Sequence, residues 1–73
     1  MTTDQTLTQI ERSFTYHAPK GDQPERYVKL RDTAKVLAVM ITDMVKPSRE
    51  QSIAITKLEE AIMWANKGIA VNE

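Results

Sequence analysis

The residues able to do more than pack are gathered in one stretch, FTYHAPKGDQPERY, residues 14–27. It holds three aromatics, the only His, two of three Pro and one of two Gly. Phe14 and Tyr16 flank Thr15 and share a side if the backbone there is extended, because side chains alternate along a strand. His17, Lys20 and Arg26 bring hydrogen-bond donors, and Pro19 with Gly21 marks a turn that lets backbone approach a ligand. Aromatic faces beside cationic donors suit a nucleotide, whose bases stack and whose phosphates take charged hydrogen bonds. A plainer reading stands beside this one. Phe14 and Tyr16 then anchor the N-terminal segment, and His17 is a hydrogen-bonded surface residue. On residue chemistry alone the plainer reading is favoured.

Catalysis finds little support. A nucleophile with base and orienting group needs Ser or Cys, His and an acid in convergence. His17 is the only His, and no Ser sits in a recognisable elbow. Glu59 and Glu60 are neighbours in sequence, so a helix points them to different sides. With no Cys, disulfides and thiolate metal sites are excluded, and one His does not make a zinc site. No cofactor is expected.

The elements that must position the connector are helical. Residues 1–13 are polar, with Leu7 and Ile10 three apart, and read as a short helix that Asp4 could cap. Asp22 with Glu25 fits a capping box, with Pro24 in the first turn. Tyr27, Leu30, Ala34, Leu37, Ile41 and Met44 then recur at spacings of three and four, the seam of a helix expected over 22–45. Pro47 ends it. Ser48 with Gln51 opens a second long helix, expected over 48–68, whose seam is Ile55, Leu58, Ile62, Ala65 and Ile69. Gly68 marks its fraying end, and the tail VNE is expected to be loosely held. So short a link forces the two long helices antiparallel. The fold class is all-α: a two-helix hairpin with a short N-terminal helix and a connector over 14–23.

At 73 residues the chain makes one domain at most. Apolar residues at 41% and charged ones at 27% are ordinary for a globular chain. One this small buries only about 60% of its unfolded surface, and without disulfides or metal its remaining staple is a partner subunit. Apolar residues also lie off the seam: Val36, Val39 and Met40 on the first long helix, Ile53, Met63 and Trp64 on the second. Ala54, Ala61 and Gly68, seven apart, would let another helix come close. A compact homo-oligomer is therefore expected; the alternative is that residues 1–13 fold back over this face. Ten basic and ten acidic residues cancel, which argues against DNA binding but not against a small anion. The geometry also opposes a DNA-reading helix-turn-helix, and no apolar run approaches membrane-spanning length. With no secretory leader pattern, the chain reads as cytosolic.

The stretch FTYHAPKGDQPERY, followed by SREQSIAITKLEEAIMWANKGIAVNE, resembles the phage anti-CBASS cyclic-oligonucleotide sponge family, small helical-hairpin proteins sharing a domain with some anti-Thoeris sponges. The run AITKLEEAIMWA is the most specific part, and the resemblance covers roughly residues 14–73. It implies a protein without enzymatic activity that binds cyclic di- and trinucleotide messengers, 3′,3′-cyclic GMP–AMP among them, in the cytoplasm of an infected bacterial host. It implies a homo-oligomer, a hexamer in the best-known cases, with dinucleotides between protomers and trinucleotides near a threefold axis.

Residue by residue, Tyr16 matches the family's ligand-contacting tyrosine. Arg31 stands where the family places a basic residue, often Lys, for a phosphate, and Arg is the better bidentate donor. By the same resemblance Thr33 is expected to face the trinucleotide pocket. Where relatives carry a basic residue in the tail this chain has AVNE, and Val71 in its place would weaken trinucleotide binding. Phe14, His17 and Lys20 are candidate contacts on chemistry alone. The competing class is a non-enzymatic hairpin that binds another protein through its exposed apolar face.

Overall fold

The computed structural model describes residues 3–73, three helices and, among the described residues, no strand. Helix α1 spans Asp4–Phe14, α2 Gln23–Met44 and α3 Arg49–Asn72. Thr3, not Asp4, caps α1: its hydroxyl accepts from the Thr6 amide at 3.1 Å, and Asp4 is the first helical residue, where its charge suits the helix dipole.

Helices α2 and α3 lie side by side as a hairpin, joined by residues 45–48. Pro47 denies residue 46 a helical backbone, and Ser48 restarts the chain by accepting the Gln51 amide at 3.1 Å. The return half of that capping box is not made. The Gln51 side chain instead donates to the Val45 carbonyl at 2.8 Å and the Thr42 carbonyl at 3.4 Å. Gln51 thus satisfies carbonyls that the end of α2 leaves without helical partners, and it ties one helix to the next.

The hairpin seam pairs Tyr27, Leu30, Ala34, Ala38 and Ile41 with Ile55, Leu58, Ile62, Ala65 and Ile69, all half-buried. Two expected members of the first stripe fall outside it. Leu37 lies exposed and Met44 is 76% exposed. A strict seven-residue repeat drifts by about 20° per heptad on a straight helix, which brings Ala38 inward in place of Leu37. At the turn the Gln51 side chain, not Met44, lies across the helix end.

Helix α1 does not fold back over the free face of the hairpin: Leu7 and Ile10 stay exposed, as do Val36, Val39, Met40, Ile53, Met63 and Trp64. The molecule measures 48 × 34 × 13 Å, and its thin dimension is about the diameter of one helix. No apolar residue among those described is fully buried. The radius of gyration is 16.2 Å, where a compact domain of this length has about 11 Å. The accessible surface is 6096 Å², against about 4,600 Å² for a compact monomer of this mass. No helix among the described residues is long and apolar enough to cross a membrane.

Replacing Gln51 with Ala should lower stability by about 1 kcal/mol, the usual net worth of a hydrogen bond, and Ser48→Ala by a similar amount. Urea unfolding followed by circular dichroism measures both.

Candidate functional site

The connector runs from Thr15 to Asp22, between α1 and α2, and lies beside the last turn of α3. Its turn is closed by the Gln23 amide donating to the Lys20 carbonyl at 3.0 Å. Gly21 occupies that turn at φ 58°, in the left-handed region that a side chain disfavours. Asp22 precedes α2 but makes no side-chain cap, so the expected capping box with Glu25 does not form. The Asp22 carboxylate pairs at 3.2 Å with Arg26, one turn on.

The polar groups of this corner converge on the far end of the chain. Arg26 grips the Glu73 carboxylate with both terminal nitrogens, Nη1 to Oε2 at 3.0 Å and Nη2 to Oε1. Lys20 Nζ donates to the Glu73 carbonyl. Gln23, only 3% exposed, accepts the Lys20 amide at 3.1 Å and turns its own amide toward the Ile69 carbonyl and the Glu73 carboxylate, both at 3.5 Å. The expected loose tail is therefore a correction. Helix α3 passes Gly68 and continues to Asn72, because these donors satisfy its last carbonyls and its final acid. The hydrogen bond from Arg26 is the main reason the Glu73 carboxyl sits below its ordinary range; Gln23 and the Arg26 and Lys20 charges add to it, against a smaller desolvation. The same bond raises the Arg26 guanidinium further.

The six residues singled out in the sequence are dispersed in one chain. Tyr16 stands 84% exposed on the connector. His17 is half-buried, its Nε2 bonded to the Arg12 carbonyl at 2.9 Å, so it closes the end of α1. Lys20 is engaged with Glu73. Phe14, 86% exposed, lines a shallow hollow between α1 and α3 with Trp64, Lys67 and Val71. The Lys67 ammonium lies 5.9 Å from the Trp64 ring centre. Thr33 is exposed on α2.

Arg31 lies on the rim of a trough of about 460 Å³ between the two long helices. Its floor is Ala34, Ala38, Ile55, Leu58 and Ile62, with Lys35 beside Arg31 and Glu59 on the wall from α3. The Asp32 carboxylate is 3.9 Å from the Arg31 guanidinium, a solvated pair that holds it weakly. Lys35 sits off the apolar seam like Arg31, and its place four residues on puts both cations on one helix face; read from sequence as a solvated charge, it was not among the candidate contacts. Gln23 and Glu73 were also missed, and no local pattern marks them.

The helical hairpin has a counterpart among known families. The family described as Acb2/Tad1, hairpin domain, matches residues 6–70. The chain belongs to this anti-CBASS/anti-Thoeris sponge family. The match reaches further toward the N-terminus than the resemblance at residues 14–73, taking in most of α1. Among curated proteins and among solved structures nothing matches the chain. The family name implies sponge-like binding of cyclic nucleotides, and the family is known for binding rather than catalysis.

Because the Glu73 pKa is lowered in the folded chain, its contribution to stability is complete above the ordinary carboxylate value near 4.5 and is lost as pH falls through the folded pKa. Glu73→Gln should therefore melt lower than the parent at neutral pH. The two melting curves should converge in acid, as thermal scans across pH would record. Salt should narrow the neutral gap, since the pair is over a third exposed.

Proposed function

We propose that this protein binds and sequesters cyclic di- and trinucleotide second messengers without cleaving them, and so blocks CBASS immunity. The family match over residues 6–70 carries this reading. The trough supports it. Its volume falls within the roughly 300–1,000 Å³ of small-molecule sites, and its apolar floor with a few charged groups on the rim is the usual make-up of such a site. Arg31 gives a phosphate two charged hydrogen bonds, with Lys35 as a second cation. Tyr16 and Phe14 offer faces on which bases stack. Thr33 serves the trinucleotide pocket. His17 and Lys20 act chiefly inside the chain, holding the connector.

The working form in this reading is a homo-oligomer, six copies by the resemblance. Two observations support assembly. The chain is one helix thick, with no buried apolar residue among those described, and Tyr16 lines neither the trough beside Arg31 nor the hollow beside Phe14. A neighbouring copy covers the free face and brings its own connector to the trough. The messenger is then enclosed, its charge neutralised by fixed donors, while the protein stays electrically neutral and attracts little nucleic acid. Sequestration needs abundance and tight binding. A nanomolar dissociation constant corresponds to about 12 kcal/mol, within reach of a ligand enclosed between subunits. The site of action is the cytoplasm of the infected cell.

Calorimetric titration with 3′,3′-cyclic GMP–AMP, followed by heating and recovery of the nucleotide, tests the proposal. Tight binding with intact nucleotide recovered is expected, and a cleaved product would make the protein an enzyme. No heat with any cyclic di- or trinucleotide would point to a protein-binding hairpin instead. Tyr16→Ala and Arg31→Ala should each weaken binding at least about tenfold, or ~1.4 kcal/mol, with unchanged helicity. Sedimentation should give a mass several times 8.3 kDa.

A further inference from the structure

The connector is pinned at both ends by two consecutive residues, Asn72 at the end of α3 and Glu73, its C-cap. On one side, Arg12 Nη1 donates to Asn72 Oδ1 at 3.4 Å, and the Arg12 carbonyl meets the His17 ring at 2.9 Å. On the other, Lys20, Gln23 and Arg26 all reach Glu73. Asn72 is itself braced, its amide donating to the Gly68 carbonyl at 2.9 Å. The connector carries the exposed Tyr16 between these two anchors. Both anchoring residues lie beyond residues 6–70, the span that the family shares.

We infer that Asn72 and Glu73 are positioning residues: they hold both ends of the connector and thereby set the protein's affinity for its ligand without touching it. This rests on the proposed reading in which Tyr16 meets a cyclic nucleotide. A strap fixed only through α1 and α2 would sample many backbone states, and binding would have to order it. The clasp orders it beforehand. If its loss leaves the strap competent a tenth of the time, the apparent affinity falls about tenfold. Polar pairs at the rim of the fold suit this role, since their loss frees the strap while the apolar seam stays intact.

The test compares the parent with the double variant Asn72→Ala, Glu73→Ala. Amide hydrogen exchange over residues 15–22 of the free protein is read beside the dissociation constant for 3′,3′-cyclic GMP–AMP and the melting midpoint. The double variant should exchange faster across the strap and bind about tenfold more weakly, while amides of the α2–α3 seam keep their protection. A freed strap with unchanged affinity, or an unchanged strap, would overturn the inference. So would weaker binding accompanied by loss of seam protection. Should the double variant fail to fold, Glu73→Gln, which removes only the charge, is read the same way. If the parent binds no cyclic nucleotide the functional reading fails, and the exchange data still decide whether the clasp holds the strap.

Discussion

Two helices joined by four residues can press one stripe of each against the other, and the faces left over determine much of the rest of this chain. The stripe is narrow, five or so half-buried residues per helix, and three of the ten are Ala. It orders the hairpin but encloses nothing. A sheet of helices 13 Å thick has two surfaces and no interior, so the apolar groups that would fill a core in a larger domain stand in contact with water. Burying them requires material that one chain does not supply. The same thinness explains the trough. Two cylinders in contact leave a furrow along each side of their line of contact, and small residues at Ala34 and Ala38 deepen it beside Arg31 and Lys35.

Polar contacts do in this chain what a core does elsewhere. The one buried residue among those described is a glutamine, and its neighbours are an arginine, a lysine and a glutamate. Each exposed ion pair on its own contributes little. Here one carboxylate meets a two-pronged guanidinium and a side-chain amide, while its backbone carbonyl meets an ammonium, so the donors reinforce one another's placement. The result is a corner fixed in shape at the place where the aromatic strap crosses it.

Much of the fold was legible because its signals are local. Pro47 and Ser48 mark a stop and a start that depend on a few neighbouring residues, and the spacing of Ile55, Leu58 and Ile62 reports one face of one helix. Legibility failed where partners lie far apart. Asp22 has the right type and offset for a cap, yet its carboxylate is taken by Arg26. Nothing near Lys20 in sequence announces its bond to Glu73, fifty-three residues away. The tail VNE carries one charge and no pattern, and its order depends on donors contributed from the other end of the chain. Arg31 is a candidate through family likeness, whereas Lys35 becomes one only beside it on the trough.

The clasp also bears on how the chain reaches its folded form. Contacts within and between α2 and α3 grow outward from a four-residue turn, so they form at little cost in loop closure. Arg12 with Asn72 and Lys20 with Glu73 instead close loops of more than fifty residues. Such contacts belong late on the folding route, after the helices have zipped together. Interactions absent from the transition state leave the folding rate nearly untouched and act on the rate of unfolding. Residues 72 and 73 thus work as a latch in time as well as in space, delaying the escape of a hairpin that assembles quickly without them.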